Sequence, residues 1–322
     1  MTKKLISLLL ALTIVFACAV PSFALSDLNS SYTQDALSTA TASPSSMTVY
    51  LSIQSDRING YYINRGYYIV NMTSSDYSRS DGICVVGDVL RKAATTYSWL
   101  NFHDSSYNLL PNGPSSYVFA VSDTSVNSGN TIFAASTTAS TRLGWMYRVN
   151  RKYQLLDAAD YPSGYNVATS GPCGAALETT IVEAGDKIDL YYADAYSSSS
   201  CTKKTYIEPV YKSGKYGIRV YASYIWFDTH ANGDFLYIDT TSQTATTHQY
   251  ALVKNTSFSV TVDGTTTTYT TDSSGIFYPS GLTSGSGSHT IKLLPKFGNS
   301  KQVNGVTCYM PSYTGMSVTF TL

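Results

Sequence analysis

One short segment limits what this chain can become. Gly87-Asp88-Val89-Leu90-Arg91-Lys92-Ala93-Ala94 is the one convincing helix in 322 residues. Val89, Leu90 and Ala93 share a face at helical spacing, and Asp88 stands where a carboxylate caps free amides. Elsewhere apolar residues alternate in short runs broken by turn residues, the pattern of half-buried strands. The 28 tyrosines and abundant Ser and Thr suit such strands. Charged residues make up only 13% of the chain, so hydroxyls must carry much of its solubility.

The 21 basic and 21 acidic side chains cancel, leaving no field that draws nucleic acid or an anionic membrane. At the N-terminus, Lys3 and Lys4 precede an uncharged apolar stretch over residues 5–20, and Pro21-Ser22-Phe23-Ala24 supplies small residues for cleavage. This predicts a signal peptide over residues 1–24; a spanning helix needs about 20 apolar residues. Phe16, two residues before Cys18, argues against lipid attachment. Residues 25–46 read as a Ser/Thr-rich linker. The expectation is a secreted, extracellular protein, free or held at the cell surface, with no integral membrane segment in the mature chain.

The length suggests two domains. Residues 47–205 combine strand patterns at 47–53, 61–72, 117–121, 131–135, 144–150 and 187–192 with the single helix, which predicts an α+β layer arrangement. Residues 206–322 carry strand patterns only. Asn232-Gly233 is a hairpin signal between 217–228 and 234–239, and further runs fall at 258–264, 266–270, 275–278, 289–294 and 317–322. This spacing predicts an all-β immunoglobulin-like sandwich.

Three pieces of the first domain carry a family likeness: the helix opening at 87–93, Gly144-Trp145-Met146-Tyr147-Arg148-Val149-Asn150, and the closing Gly185-Asp186-Lys187-Ile188-Asp189-Leu190-Tyr191-Tyr192. In that order, over residues 47–196, the chain resembles the transcobalamin C-terminal-like domain, a β-grasp-related family. The resemblance implies a β-grasp-like sheet with one helix. It also implies a corrinoid such as cobalamin as a candidate ligand, with no cofactor required. In the vitamin carriers a helical domain supplies the other half of the site, so a partner protein completing the site is implied here. The chain differs from the family in having Arg151 rather than Gly after Asn150, and a long stretch over residues 162–180.

Trp145 and Tyr147 point to the same side of their strand. They offer either a flat platform for a ring-shaped ligand or ordinary core packing. With Asn150 and Arg151 they form the predicted ligand-binding set. Tyr61, Tyr62, Tyr67 and Tyr68, near Asn59 and Arg65, read either as a sugar-binding surface or as a Tyr-rich strand pair. Four cysteines follow the signal, Cys84, Cys173, Cys201 and Cys308, allowing three disulfide pairings. Cys173 with Cys201 is preferred because the two flank one short strand region. No Cys-x-x-Cys supports zinc. Residues 228–239 faintly echo a calcium loop, but His230 occupies its third position, and a β-hairpin explains the stretch.

His103, His230, His248 and His289 stand apart in sequence, with no Gly-x-Ser-x-Gly, His-Glu-x-x-His or phosphate loop. No catalytic or metal-binding residue is therefore predicted. The expected function is a secreted, non-catalytic binding or surface protein whose partner is a small molecule or a surface polymer. The alternative is a structural or adhesive cell-surface protein that binds glycan, cell wall or protein.

Overall fold

A computed structural model describes residues 39–136, 143–151, 176–194, 202–223, 251–303 and 305–322, together with residues 37, 154 and 163. The signal peptide, Cys173, Cys201, His230, His248, the Asn232-Gly233 hairpin and the calcium-like loop lie outside the described residues.

The first half opens with β1 (Ser46–Gln54), β2 (Arg57–Ile58) and β3 (Asn64–Thr73), followed by helix α1 (Val86–Thr96). Short strands β4 (Leu100–His103), β5 (Leu109–Leu110), β6 (Ala120–Asp123) and β7 (Ile132–Ala134) lead to β8 (Leu143–Val149) and β9 (Lys187–Asp194). β1 lies inside the sheet β3-β1-β9-β8, antiparallel to β3 and parallel to β9. Met47, Val49 and Leu51 alternate into the core as the period of two requires. A second sheet, β5-β4-β6-β7, packs its Phe102, Val121 and Phe133 into the same core.

α1 begins at Val86, with Asp88 in its first turn. The Asp88 carboxylate accepts the Val85 amide at 3.1 Å and the Arg91 guanidinium at 2.6 Å, which satisfies a helix-end donor and fixes the N-terminus. The buried Val86, Val89, Leu90 and Ala93 face the sheet. Gly113, at φ 75°, brings its loop against this helix; a Cβ there would lie 2.9 Å from Arg91 Cα. Gly113→Ala is therefore expected to lower stability by about 1–3 kcal/mol, read as a lower urea midpoint at unchanged slope. An unchanged midpoint would contradict this packing.

The second half contains β10 (Lys204–Lys212), β11 (Lys215–Ser223), β12 (Ala251–Leu252), β13 (Ser257–Val262), β14 (Thr265–Thr270), β15 (Ile276–Phe277), β16 (Ser288–Leu293), β17 (Lys296–Val303), β18 (Val306–Tyr313) and β19 (Met316–Thr321). Ser213 and Gly214, both at positive φ, make the tight β10–β11 turn. One sheet joins β10, β11, β12 and β15; the other runs β14-β13-β16-β19. Tyr206, Val220, Phe258, Val260, Phe277, Ile291 and Leu293 fill a common core, an arrangement that fits an all-β sandwich.

The α+β class expected for the first half is overturned. The described residues are mostly strand, arranged in several sheets, and the single α-helix has 11 residues. One helix of three turns covers part of a sheet but builds no helical layer. The chain is a mostly-β protein.

The two halves also interlock. β18 pairs with β2, setting Cys308 opposite Ile58 and Tyr309 opposite Arg57. Val303, Cys308 and Met310 therefore belong to the first core, although they lie far along the chain. Arg57 fixes this junction with its guanidinium 4.8 Å from the ring centres of both Phe297 and Tyr309. Among the described residues, no helix is long and apolar enough to cross a membrane.

Candidate functional site

The residues expected to hold a ligand are engaged in the fold itself. Trp145 is 4% exposed; its indole N–H donates to the Phe133 carbonyl at 2.9 Å and its ring meets Tyr192 edge-on. It is a core residue and offers no surface platform. The Tyr147 hydroxyl is hydrogen-bonded to Thr180 Oγ1 at 2.5 Å. Asn150 donates to Asp186 at 2.6 Å and accepts the Lys187 amide at 3.0 Å, closing a turn. The Arg151 guanidinium lies over the Tyr206 ring at 5.2 Å. Of the tyrosine cluster, Tyr67 donates to Asp189, Tyr68 packs on Tyr97 and Trp99, Tyr62 meets Phe297, and Tyr61 is exposed. The four rings face four different environments rather than one surface. Cys84 and Cys308 are buried free thiols.

A different set of residues converges on a cleft of about 330 Å³ where the β2 turn, the β4–β5 loop, the β6–β7 connection and the β17–β18 hairpin meet. Asn59, Tyr107, Asn127, Asn130 and Thr131 supply its polar rim, and Ile58, Ile132, Val303 and Val306 its apolar wall. No side chain lining it carries a charge. Asn127 Nδ2 donates to Thr131 Oγ1 at 3.1 Å, so this part of the rim is ordered by its own hydrogen bond.

Tyr107 is held over the cleft against its own backbone preference. It sits at φ 65°, a conformation uncommon for a bulky residue, and is 42% exposed. The local cause is Asp104. Its carboxylate accepts the amides of Ser106 at 2.8 Å and Asn108 at 2.9 Å and the Asn108 side chain at 3.1 Å, which locks the loop. His103 supports the same loop, with Nδ1 3.3 Å from the Tyr107 carbonyl and Nε2 2.9 Å from Ser122 Oγ. Burial moves the His103 pKa below its ordinary value, so the ring is neutral where it supports the loop.

The cleft wall includes Cys308, whose thiol donates to the Val306 carbonyl at 3.6 Å and lies beside the buried Asp56. Burial pushes the Asp56 carboxyl up to about 7 and the Cys308 thiol up to about 12. A thiol of that pKa stays protonated and is a poor nucleophile.

The structure also assembles a Ser–His–Asp arrangement from residues that stand apart in sequence. His289 Nδ1 is 2.7 Å from Asp263 Oδ2, and its Nε2 is 2.7 Å from Ser286 Oγ. The geometry has the form of a catalytic triad, but its setting differs. Asp263 has a side chain 46% exposed, and Ser286 lies on an exposed turn bonded to Thr283. They tie the β13–β14 turn to the start of β16, where Asp263 also accepts the Thr290 amide. Among the described residues, no group of three or more His, Cys, Asp or Glu side chains is placed to hold a metal ion.

No protein-family model, curated protein or solved structure matches the chain.

Proposed function

We propose that the protein is a secreted, non-catalytic binding protein that holds a neutral, hydroxyl-rich ligand of the sugar type in the amide-rimmed cleft. The observation that carries this reading is Tyr107, held in a disfavoured backbone conformation over a cleft with three asparagines and no charge. A tyrosine ring covers the apolar face of a sugar ring, and each carboxamide offers both donors and an acceptor to hydroxyl groups. A charged ligand would have no counter-charge in the lining and would lose its hydration uncompensated. The volume lies at the small end for ligand clefts, about 300–1,000 Å³, and suits one or two sugar units better than a corrin macrocycle.

The test is calorimetric titration with neutral oligosaccharides and soluble cell-wall fragments, with cobalamin titrated in parallel. Tyr107→Ala and Asn127→Ala are each expected to weaken glycan binding about tenfold or more while the fold is retained. Cobalamin binding that survives Tyr107→Ala, or the absence of heat with every glycan, overturns the proposal.

A further inference from the structure

The seam between the two halves holds three buried groups whose chemistry is complementary. Ser52 and Gln54 project from the same side of β1, Asp189 stands beside them on β9, and Lys204 opens β10. Gln54, Asp189 and Lys204 are all buried. The Lys204 amine lies 2.6 Å from the Gln54 carboxamide oxygen and 3.3 Å from Asp189 Oδ1. Gln54 is oriented by its own Nε2, which donates to the Arg65 carbonyl at 3.0 Å. The Tyr206 and Tyr191 rings stand 5.1 and 5.7 Å from the amine and shield it from water.

We propose that Lys204 and Gln54 form an intramolecular amide cross-link, with Asp189 carrying the protons. Nucleophile, electrophile and base are all present and sequestered, as covalent chemistry by an amine requires. Burial draws the Lys204 pKa below its ordinary value, more strongly than Asp189 pulls it up, which favours the neutral, nucleophilic amine. Lys204 passes a proton to Asp189, and Nζ adds to Cδ of Gln54, forming the new C–N bond. The second Nζ proton and the one on Asp189 are delivered to Nε2. The Cδ–Nε2 bond then breaks and the nitrogen departs as ammonium. The amide retains one hydrogen on Nζ, Asp189 is returned ionised, and no oxidant or external reactant is consumed.

Condensation of Lys204 with Asp189 itself is disfavoured. The oxygens of Asp189 are engaged by the hydroxyls of Ser52, Tyr67 and Tyr206, and the amine lies closer to Gln54, at 2.6 Å, than to Asp189, at 3.3 Å. Asp189 is also the one carboxylate paired with Lys204 among the described residues, so none would remain to move the protons.

The bond would close a loop between residues 150 positions apart and covalently join the halves. The experiment is peptide mapping by mass spectrometry on the folded full chain. The expected result is a branched peptide joining the segments around Gln54 and Lys204, lighter by one ammonia than the sum of its parts, with tryptic cleavage blocked after Lys204. Lys204→Arg and Asp189→Asn are expected to restore linear peptides of full mass. Recovery of unmodified linear peptides from the wild-type chain overturns the proposal, whatever the variants do. A branched peptide joining Lys204 to Asp189 with loss of water overturns it equally.

Discussion

Replacing Asp189 by alanine is expected to lower the unfolding free energy by about 3–5 kcal/mol, the range for removing one partner of a buried pair. Asp189 is fully buried and accepts from Ser52 Oγ, from Tyr67 at 3.1 Å and from Tyr206 at 2.8 Å, and it faces Lys204. Its removal leaves three hydroxyls and an amine, drawn from β1, β3 and β10, without their common acceptor. Each buried polar group left unsatisfied carries its full desolvation cost. The double variant Asp189→Ala/Lys204→Met is expected to recover part of the loss, because no buried amine then remains without its acidic partner. Urea titration of the three proteins measures this. A loss below about 1 kcal/mol for Asp189→Ala would show that the network does not hold the seam.

The second large effect is a dependence on pH centred on Asp56. Burial raises its carboxyl to about 7 in the folded chain, whereas an unfolded Asp ionises near 3.9. Between those values the folded state binds more protons than the unfolded state, so stability falls as pH rises. The fall is complete once pH passes the folded value. Its upper bound is on the order of 4 kcal/mol, three pH units at about 1.4 kcal/mol each. One carboxyl oxygen, Oδ1, has no hydrogen-bond partner, which is why ionisation is unsupported. Asp56→Asn is expected to be more stable than wild type at pH 8 by about 2–4 kcal/mol and equal to it near pH 4. Denaturation midpoints at the two pH values measure the difference. Parallel slopes in wild type and variant would assign the pH dependence to other groups.

Much of the strand pattern was legible because it is local. Runs 47–53, 144–150, 187–192, 266–270 and 289–294 coincide closely with β1, β8, β9, β14 and β16. The helix over 87–94 lies within α1, with Asp88 in its first turn. Several strands were not foreseen, namely β2, β4, β5, β10, β12, β17 and β18. β17 and β18 carry polar and irregular faces, because part of their burial comes from a distant partner, β2; Asn-Gly at 304–305 was the available signal. The class of the first half was misread because one clear helix was taken for a layer.

The candidate site was hidden for a related reason. Trp145 and Tyr147 drew attention as aromatics on one strand, but period-two alternation does not say which face is buried. The cleft residues Asn59, Tyr107 and Asn127 come from three separate loops and converge only through tertiary structure. Asp104, followed by Ser106 and Asn108, marked an ordered turn, but nothing local showed that it would hold Tyr107 over a cleft.

The pairing of β18 with β2 imposes an order of events on synthesis. A chain made from its N-terminus presents β2 about 250 residues before the strand that completes its sheet, an interval on the order of ten seconds or more at ordinary elongation rates. Until then the places of Val303, Cys308 and Met310 in the first core are empty. The edge of β2 also waits unpaired, exposed to any other strand that meets it first. The first half of this protein is therefore made early and finished last.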